Sequence, residues 1–330
     1  EERMSHFISC FRNELQLYYK LRVTVLSESA IKHELCYLKR FDRYLEPIME
    51  QKSDLTEMLL NGWIATLKGK SSSKENEIIV IRQFLAFLMS CGYRCYYPPV
   101  PKVREDYVPY IFSDEELELI FNTADNLVIK EAKDNPYIAV QIPVILRLLY
   151  SCGLRIGETI NLKMKEVDLE NGILTMIHTK GDKQRLVPMD QTMTDILVRY
   201  CMALGLLGKK DAWLFPSAVI DKPVSHSVVK YRFSKILKMN NIKLENRDCY
   251  ERGPCLHCFR HVFAFKSFAQ SERNGRQLND TVPYLSIYLG HDSLEETSKY
   301  LKFSNEMYPQ SIDAFGSFME DILPEVDYEE

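Results

Sequence analysis

The amino-acid sequence predicts a mainly α-helical protein with one small antiparallel β-sheet, arranged as two domains. The chain has 330 residues, which is long for one compact domain and comfortable for two. Apolar residues recur at helical spacing through most of the chain, and only the segment 172–189 (GILTMIHTKGDKQRLVPM) has a strong hairpin pattern. Hydrophobic residues make up 46% and charged residues 27%, so disordered, collagen-like and coiled-coil classes are excluded.

The first domain is predicted to be helical and to span residues 1–95, because no strand pattern occurs before residue 93. A second helix of this domain follows the segment 70–74 (KSSSK), whose serines are predicted to cap its start. The apolar face of an earlier helix is formed by Ile31, Leu35, Leu38, Phe41 and Leu45.

A linker is predicted at 96–110, in a proline-rich stretch without periodicity. The second domain, 111–305, opens with a helix capped by Ser113, and Glu116 completes a capping box. The acidic residues of that first turn suit the positive end of the helix dipole, so they are not interpreted as a catalytic cluster.

The hairpin of the second domain is surrounded by predicted helices. The apolar segment 137–152 ends at Gly153, and the segment 271–280 (SERNGRQLND) is predicted to be a polar loop. The other helices are predicted near 190–204, 225–240, 257–270, 283–289 and 294–301. A C-terminal amphipathic helix is predicted at 306–330, with apolar positions Ile312, Phe315, Met319, Ile322 and Leu323.

The net charge of −4 would argue against a protein that binds a polyanion, but the charge is unevenly distributed. Residues 301–330 hold 1 basic and 8 acidic side chains, so the other 300 residues carry a net charge of +3. An acidic tail on a mildly basic body leaves room for a basic groove, because local potential rather than total charge attracts a nucleic acid.

The nine cysteines are scattered along the chain, which favours reduced thiols. Cys91 with Cys95 and Cys255 with Cys258 have spacings that zinc could use, but a structural zinc site needs two such pairs brought together, so no metal is predicted. The chain has no apolar run of about 18 residues and no signal-peptide pattern at its start. A cytoplasmic protein without membrane association is therefore expected.

Three segments of the second domain carry residues that suit chemistry on a phosphate. They are GLRIGE at 153–158, HCFRH at 257–261 and YLGHDSLEETSKYL at 288–301. His257 and Arg260 lie three residues apart and share a helical face, and His291 precedes Tyr300 by nine residues. Each segment alone is a weak signal, since helical arginines are usually solvated and helical tyrosines are usually part of a core.

In this order, with the hairpin lysine between the first two, the segments resemble the motifs of the tyrosine recombinase (phage integrase) family. The resemblance covers about residues 108–303. It implies a helical, SAM-like core DNA-binding domain followed by an α+β catalytic domain. It also implies a site-specific recombinase that cleaves and rejoins DNA through a 3′-phosphotyrosine intermediate, with no cofactor. The stretch from Pro283 to Leu301 is most similar to recombinases of transposons and other integrative elements.

The resemblance gives each motif residue a role that fits its chemistry. Tyr300 is the nucleophile, because its phenol can attack phosphorus once positioned and deprotonated. Arg155 and Arg260 offer planar forks of donors to the non-bridging phosphate oxygens. His291 adds a donor to the same oxygens, and His257 assists deprotonation of the tyrosine.

The general acid for the 5′ oxygen is assigned to Lys180 in the hairpin turn. Lys183 and Arg185 are the alternatives, and Lys180 is preferred because Lys-Gly matches the turn of the family. Tyr284 and Tyr288 are alternatives for the nucleophile, but they precede the last histidine and have the wrong spacing.

Two further residues near the motifs are interpreted as structural, and two others depart from the family pattern. Glu158 is expected to orient the arginine turn, and His261 is expected to form structural hydrogen bonds. Phe259 and Val262 depart from the family pattern, which has leucine and threonine around the second arginine.

The expected partner is double-stranded DNA with specific recombination sites, and the C-terminal helix is expected to link a tetramer on that DNA. A sister recombinase or a directionality factor is a further possible partner. On the helix at 230–243, a solvated basic face is the alternative to DNA contact. The candidate DNA-binding residues are Lys70, Ser72, Ser73, Lys74, Lys230, Arg232 and Lys235.

Three other functions remain open at the level of the sequence. A recombinase that resolves chromosome or plasmid dimers belongs to the same family. A type IB topoisomerase uses similar residues, but the spacing between His291 and Tyr300 and the small helical first domain favour a recombinase. A DNA-binding accessory protein without catalysis would be expected to lack one of the motif residues, and all of them are present here.

Overall fold

Helices form most of the structure, a computed structural model that describes residues 7–101, 109–127, 135–177, 184–219, 221–243, 253–276, 278–291, 293–294 and 296–297. The chain divides into two units, Glu1–Asp106 and Tyr107–Glu330. The predicted fold class, mainly α with a small antiparallel sheet, is confirmed. In the described part of the chain, no helix is long and apolar enough to span a membrane. The predicted C-terminal helix at 306–330 lies outside the described residues.

The described part of the first unit is helical. Its core is aromatic, since the Phe41 ring meets the rings of Trp63 and Phe84 edge to face, at centroid distances of 5.2 and 6.3 Å. The predicted serine cap is wrong: the backbone of Lys70 is extended and occupies the capping position, and the serines lie within the first turn. The helices are α1 (Arg12–Val23), α2 (Glu28–Leu45), α3 (Glu57–Thr66) and α4 (Ser71–Ser90).

The second unit is built around one central helix, α6. This helix packs against α5, α8 and α10, and eight of its residues are buried. The capping box predicted at Ser113 and Glu116 is present at the start of α5. The helices are α5 (Asp114–Asp125), α6 (Ile138–Ser151), α7 (Ile156–Ile160), α8 (Gln191–Ala203), α9 (His226–Met239), α10 (Cys258–Arg273) and α11 (Leu278–Leu289).

A three-stranded antiparallel sheet lies between α7 and α8 in the chain. Its strands are β1 (Val167–Asp168), β2 (Ile173–Met176) and β3 (Arg185–Pro188), in the order β1-β2-β3. The hairpin register pairs Ile173 with Pro188 and Met176 with Arg185. The turn between these strands, 178–183, lies outside the described residues. Strand β1 was not predicted, because two residues are too short to show an alternating pattern.

The loop predicted at 271–280 is wrong in most of its length. Helix α10 continues to Arg273 and α11 begins at Leu278, so six of the ten residues are helical. Pro283, expected near the start of a helix, lies in the second turn of α11. Tertiary packing overrides the polar composition here, because Val282 and Phe268 are buried against each other's helices.

Candidate functional site

Arg155 is held at the start of α7 by a glycine turn and a carboxylate. Gly153 has φ +59°, and a Cβ there would lie 2.5 Å from the ring of Phe263, so only glycine fits. The backbone N–H of Arg155 donates to Glu158 Oε2 at 3.0 Å, and its Nη1 donates to Glu158 Oε1 at 3.1 Å. The contact expected between Glu158 and the arginine turn is thus present.

Glu158 is shared by two arginines. Arg185 on β3 donates from Nη1 to Oε1 at 3.0 Å and from Nη2 to Oε2 at 2.8 Å. The side chains of Glu158 and Arg185 are only 5% and 9% exposed. Burial alone would raise the pKa of the Glu158 carboxyl, but the hydrogen bonds from Arg185 and from the Arg155 backbone hold that pKa below its ordinary value.

Arg185 also reaches the end of α11. Its Nε donates to the carbonyl oxygen of Tyr288 at 2.9 Å. A Cβ on Gly290 would come within 3.0 Å of Arg185 Nη1, so the guanidinium packs against the glycine of the Leu-Gly-His motif. Arg185 therefore ties β3 to α7 and to the residues that precede His291.

These contacts of Arg185 were not predicted from the sequence, where Arg185 was only an alternative general acid. One signal was available. Arg185 lies two residues before the apolar Val187 on a predicted strand, which places both side chains on the same, inward face of the sheet. A charged residue in that position needs a buried partner.

Arg260 connects the other two motifs and is only 1% exposed. It lies in the first turn of α10, where its Nη1 donates to the carbonyl oxygen of Gly153 at 2.9 Å and its Nη2 donates to that of Leu289 at 2.7 Å. Arg155 Nη2 donates to the next carbonyl, that of Gly290, at 3.2 Å. Both guanidinium groups thus meet at the carbonyl end of α11, where cations are favoured by the helix dipole.

His291 follows directly after that helix end. Gly290 has φ +66°, its N–H donates to Ile287 O, and the N–H of His291 donates to Ser286 O, which is the hydrogen-bond pattern of a Schellman motif. His291 Nδ1 lies 2.7 Å from Thr297 Oγ1. Burial, together with Arg260 and Arg155, lowers the pKa of His291 to about 3, so its imidazole is neutral at pH 7.

His257 immediately precedes α10 and is exposed, unlike its neighbour His261. The two rings meet edge to face at a centroid distance of 4.7 Å. His261 is 6% exposed, and burial, helped by the nearby His257 and Arg260, lowers its pKa to about 3. The two histidines therefore differ: one faces solvent and the other is a neutral group inside the unit.

The other candidates for the nucleophile and general acid divide into described and undescribed residues. Tyr300, Lys180 and Lys183 lie outside the described residues. Tyr288 is half-buried and stacks on the Phe263 ring at 5.4 Å, and burial raises its pKa, which makes it a poorer nucleophile. Tyr284 is 75% exposed on α11.

The candidate DNA-binding residues occupy the starts or faces of two helices, one in each unit. The first group lies at the start of α4, and its serines are exposed. The second group lies on α9, where Lys230 and Lys235 are exposed and Arg232 is half-buried. Lys235 Nζ also lies 4.7 Å from the centre of the exposed Tyr231 ring. Among the described residues, no three or more His, Cys, Asp or Glu side chains are grouped so that they could hold a metal ion.

The departures from the expected family pattern around Arg260 have a packing explanation. Phe259 is fully buried, and its ring lies between 5.3 and 6.1 Å from those of Phe112, Phe233 and Phe121. Val262 is 1% exposed in the same core. An aromatic core thus fixes the helix that carries Arg260.

The arrangement suits an anionic ligand with several acceptor oxygens. Three arginines and His257 lie close enough to His291 to act on its pKa, and the one carboxylate of the cluster, that of Glu158, is engaged by Arg155 and Arg185. Guanidinium groups bind phosphate through pairs of N–H donors. Each guanidinium group carries five N–H donors in a fixed planar fork, which suits an acceptor with several oxygens.

Comparison with known proteins agrees with this chemistry. The family model described as "Phage integrase family" matches residues 112–307. The tyrosine recombinase XerC of Staphylococcus saprophyticus is 28% identical over 241 residues, 72% of this chain and 73% of that protein. The XerC of Staphylococcus aureus is 26% identical over 310 residues, 92% of this chain and 94% of that protein.

The fold is shared with solved structures of low sequence identity. The XerH site-specific recombinase, solved in a pre-cleavage complex with its difH substrate, has a TM-score of 0.67 at 17% identity, over 93% of this chain and 98% of that one. The Tn1549 transposon integrase, solved with a circular intermediate DNA, has a TM-score of 0.63 at 14% identity, over 94% and 99%.

Proposed function

The chain belongs to the phage integrase family and is a tyrosine recombinase, and from this premise we propose that it cleaves and rejoins double-stranded DNA at specific sites through a 3′-phosphotyrosine intermediate. We propose further that the reaction serves the integration, excision or transposition of a mobile element. The resemblance of the stretch from Pro283 to Leu301 to recombinases of such elements supports the second part.

One observation carries the proposal: two arginines and a histidine from three separate motifs meet at one helix end. Arg155 and Gly290 lie 135 residues apart in the chain, yet they are joined by a hydrogen bond of 3.2 Å. Arg260 bonds to Gly153 and Leu289, which are 107 and 29 residues away. Such convergence of phosphate-binding side chains is what phosphoryl transfer without metal requires.

The chemistry assigned to these residues divides the work of breaking one phosphodiester. Arg155 and Arg260 stabilise the charge that develops on the non-bridging oxygens, and His291 donates to the same oxygens. Because the burial of His291 keeps its ring neutral, it acts as a hydrogen-bond donor without adding a full charge. Removing one such donor in other enzymes lowers the rate by about 10²- to 10³-fold.

The covalent step is assigned to Tyr300. Its phenol loses a proton with the help of the exposed His257, and the phenolate attacks phosphorus. The P–O5′ bond breaks, and Lys180 protonates the leaving 5′ oxygen. The product is a 3′-phosphotyrosine and a free 5′ hydroxyl. Attack by the 5′ hydroxyl of another strand reverses the step, so rejoining needs no ATP.

Glu158 and Arg185 are proposed as positioning residues. Their hydrogen bonds fix the side chain of Arg155 and the carbonyl group of Tyr288, and both side chains are more than nine-tenths buried. This makes Arg185 a supporting residue and leaves the general acid to the lysines of the hairpin turn.

DNA contact and assembly complete the proposal. The start of α4 and the exposed face of α9 are proposed to contact DNA backbone phosphates. The residues involved are Lys70, Ser72, Ser73, Lys74, Lys230, Arg232 and Lys235. The C-terminal segment is proposed to dock on a neighbouring protomer and to link a tetramer on the DNA. A tetramer on a Holliday junction has been solved for lambda integrase.

A second candidate function is the resolution of chromosome or plasmid dimers. It is favoured by the XerC relatives, which align over nearly the full chain at 26% identity. The two candidates predict different substrates. A recombinase of a mobile element should recombine the ends of that element. A dimer-resolving recombinase should instead recombine a chromosomal resolution site, with or without a sister recombinase.

The experiment that tests the proposal offers both kinds of paired site on plasmids and scores recombinant products. Recombination of either substrate supports the reaction and chooses between the biological roles. Relaxation of supercoiled plasmids that carry neither site, without recombination of any pair, would contradict it and would favour a topoisomerase.

A further inference from the structure

Two cysteines flank the histidine at the start of α10. Cys255 and Cys258 are three residues apart, and their Sγ atoms are 3.6 Å from each other. The backbone N–H of Cys255 donates to Cys258 Sγ at 3.3 Å, so the chain folds back over the first turn of the helix. Cys258 is 1% exposed and Cys255 is half-buried. The pair is therefore preformed, with one sulfur more accessible than the other.

The geometry needs only a small change to accept a disulfide bond. Bonded sulfurs are about 2.0 Å apart, so the two Sγ atoms must approach by roughly 1.5 Å. A Cys-X-X-Cys sequence at the start of a helix is an arrangement that supports reversible dithiol chemistry. The hydrogen bond with Cys255 and burial raise the pKa of the Cys258 thiol. Cys255 is the more exposed of the two, so it is the thiol that an oxidant in solution reaches first.

We propose that Cys255 and Cys258 form a redox-sensitive site, in which a small organic disulfide oxidises the pair to an intramolecular disulfide that impairs DNA cleavage. The Cys255 thiolate attacks one sulfur of the oxidant and releases the other as a thiolate. The Cys258 thiol gives up its proton and attacks Cys255 Sγ in the mixed disulfide, which releases the second thiolate. Two protein thiols are oxidised, and one disulfide is reduced to two thiols.

The link to activity rests on the proposed function and on the position of His257. This residue lies inside the ring that the bond would close, and its ring contacts that of His261 at 4.7 Å. Drawing the sulfurs together tightens the backbone on both sides of His257. A displacement of about 1 Å at a reacting group can reduce a rate by about 10²-fold. Oxidation is thus expected to lower the rate of covalent adduct formation.

The first measurement is independent of activity. The whole protein is titrated with oxidised glutathione, and the intact mass and its peptides are measured. We expect the intact mass to fall by two hydrogens and a peptide to appear in which Cys255 is linked to Cys258. The Cys255→Ser variant should not form this linked peptide. The exposed Cys36 provides the control, since Cys36→Ser should still form the bond. A Cys36→Ser variant that no longer forms it, or no linked peptide in the parent protein, would overturn the site.

The second measurement compares adduct formation on DNA before and after oxidation. After oxidation, we expect the rate of adduct formation to fall by at least about tenfold, as for a misplaced reacting group. Dithiothreitol should restore the rate, and the rate of Cys255→Ser should not change on oxidation. Equal rates in the reduced and the fully linked protein would overturn the effect on cleavage. A reduced protein that never forms an adduct would contradict the proposed function, while the mass measurement would still decide the dithiol site.

Discussion

At the scale of single residues, the ion pair between Arg185 and Glu158 determines how the phosphate-binding Arg155 is held. Both side chains are more than nine-tenths buried, and Glu158 accepts hydrogen bonds from both arginines. Removing one partner of a buried pair leaves an uncompensated charge, which typically destabilises a protein by about 3–5 kcal/mol. The pair therefore links the stability of the unit to the geometry of its site.

We predict that Arg185→Ala lowers the free energy of unfolding by about 3 kcal/mol, because the buried Glu158 loses its buried cation and keeps only the more exposed Arg155 as a charged partner. Urea denaturation of the whole chain measures this. The matched control is Arg147→Ala, since Arg147 also binds a carboxylate through two bonds of 2.7 Å but at the surface, to Asp125. That change should cost less than about 1 kcal/mol.

The proposed positioning role of Arg185 leads to a further prediction, for the variant Arg185→Lys. Arg185→Lys keeps the charge but cannot reproduce the fork of three hydrogen bonds. At a temperature where the lysine variant is fully folded, its cleavage rate should still fall while DNA affinity is unchanged. A cleavage rate equal to that of the parent protein would show that Arg185 has only a structural role.

His261 is predicted to make stability depend on pH. Its folded pKa is about 3 and its unfolded value is about 6.5, so below pH 6.5 the unfolded chain takes up a proton that the folded chain does not. This group's contribution is full above pH 6.5 and is lost as the pH falls towards 3, by at most about 1.4 kcal/mol per pH unit. His261→Gln should flatten the unfolding profile between pH 6.5 and 5. The exposed His226 is the control, and an equal effect of His226→Gln would contradict the account.

At the scale of elements, two glycine turns bring the motifs together. The turn before α7 presents the carbonyl of Gly153 to Arg260, and the turn after α11 presents His291. Both glycines have positive φ; a Cβ on Gly153 would clash with the Phe263 ring, and a Cβ on Gly290 would press against the Arg185 side chain. The site is thus formed by the ends of helices rather than by their faces.

We predict that Gly153→Ala destabilises the protein by about 1–3 kcal/mol more than Gly205→Ala. Both residues have φ near +60°, so alanine is strained at either by roughly 1–2 kcal/mol. Only at Gly153 would the new Cβ meet an aromatic ring, that of Phe263, at 2.5 Å. Overpacking of this kind adds about 1–3 kcal/mol. Equal shifts of the thermal midpoint in the two variants would contradict the prediction.

The helices and the hairpin were predictable from sequence because their periodicity and capping signals are local. The capping box at Ser113 and the apolar helix that ends before Gly153 were both read from neighbouring residues. The hydrogen-bond partners of Arg185 were not predictable, since they lie 27 and 103 residues away and no local pattern in a single sequence pairs them. The prediction of a ten-residue loop at 271–280 was wrong for a related reason. Packing between residues far apart in the chain extends α10 and α11 into this polar segment.

At the scale of the whole molecule, charge separates the tail from the body. All 7 charged residues of 310–330 are acidic, so removing them changes the net charge from −4 to +3. The same segment carries apolar residues at helical spacing, which need a surface to cover them. These two properties fit a protein-binding segment and disfavour contact with DNA.

We predict that deletion of residues 310–330 weakens assembly on paired sites while binding to a single site is preserved. Loss of negative charge should not reduce affinity for a polyanion, whereas loss of the apolar face removes a contact between protomers. Gel shifts on one site and analytical ultracentrifugation on paired sites separate the two effects. Undiminished recombination by the truncated protein would refute the role of the tail.

The covalent intermediate provides the most direct test of the central claim, that the arginines and histidines of this site act on one phosphate for attack by Tyr300. A nicked suicide substrate, built on a DNA site that the protein selects, traps the cleaved strand. The account predicts an adduct with the 3′ phosphate on Tyr300, identified by peptide mass, which disappears in Tyr300→Phe and persists in Tyr284→Phe. An adduct that survives Tyr300→Phe, or no adduct on any selected site, would contradict it.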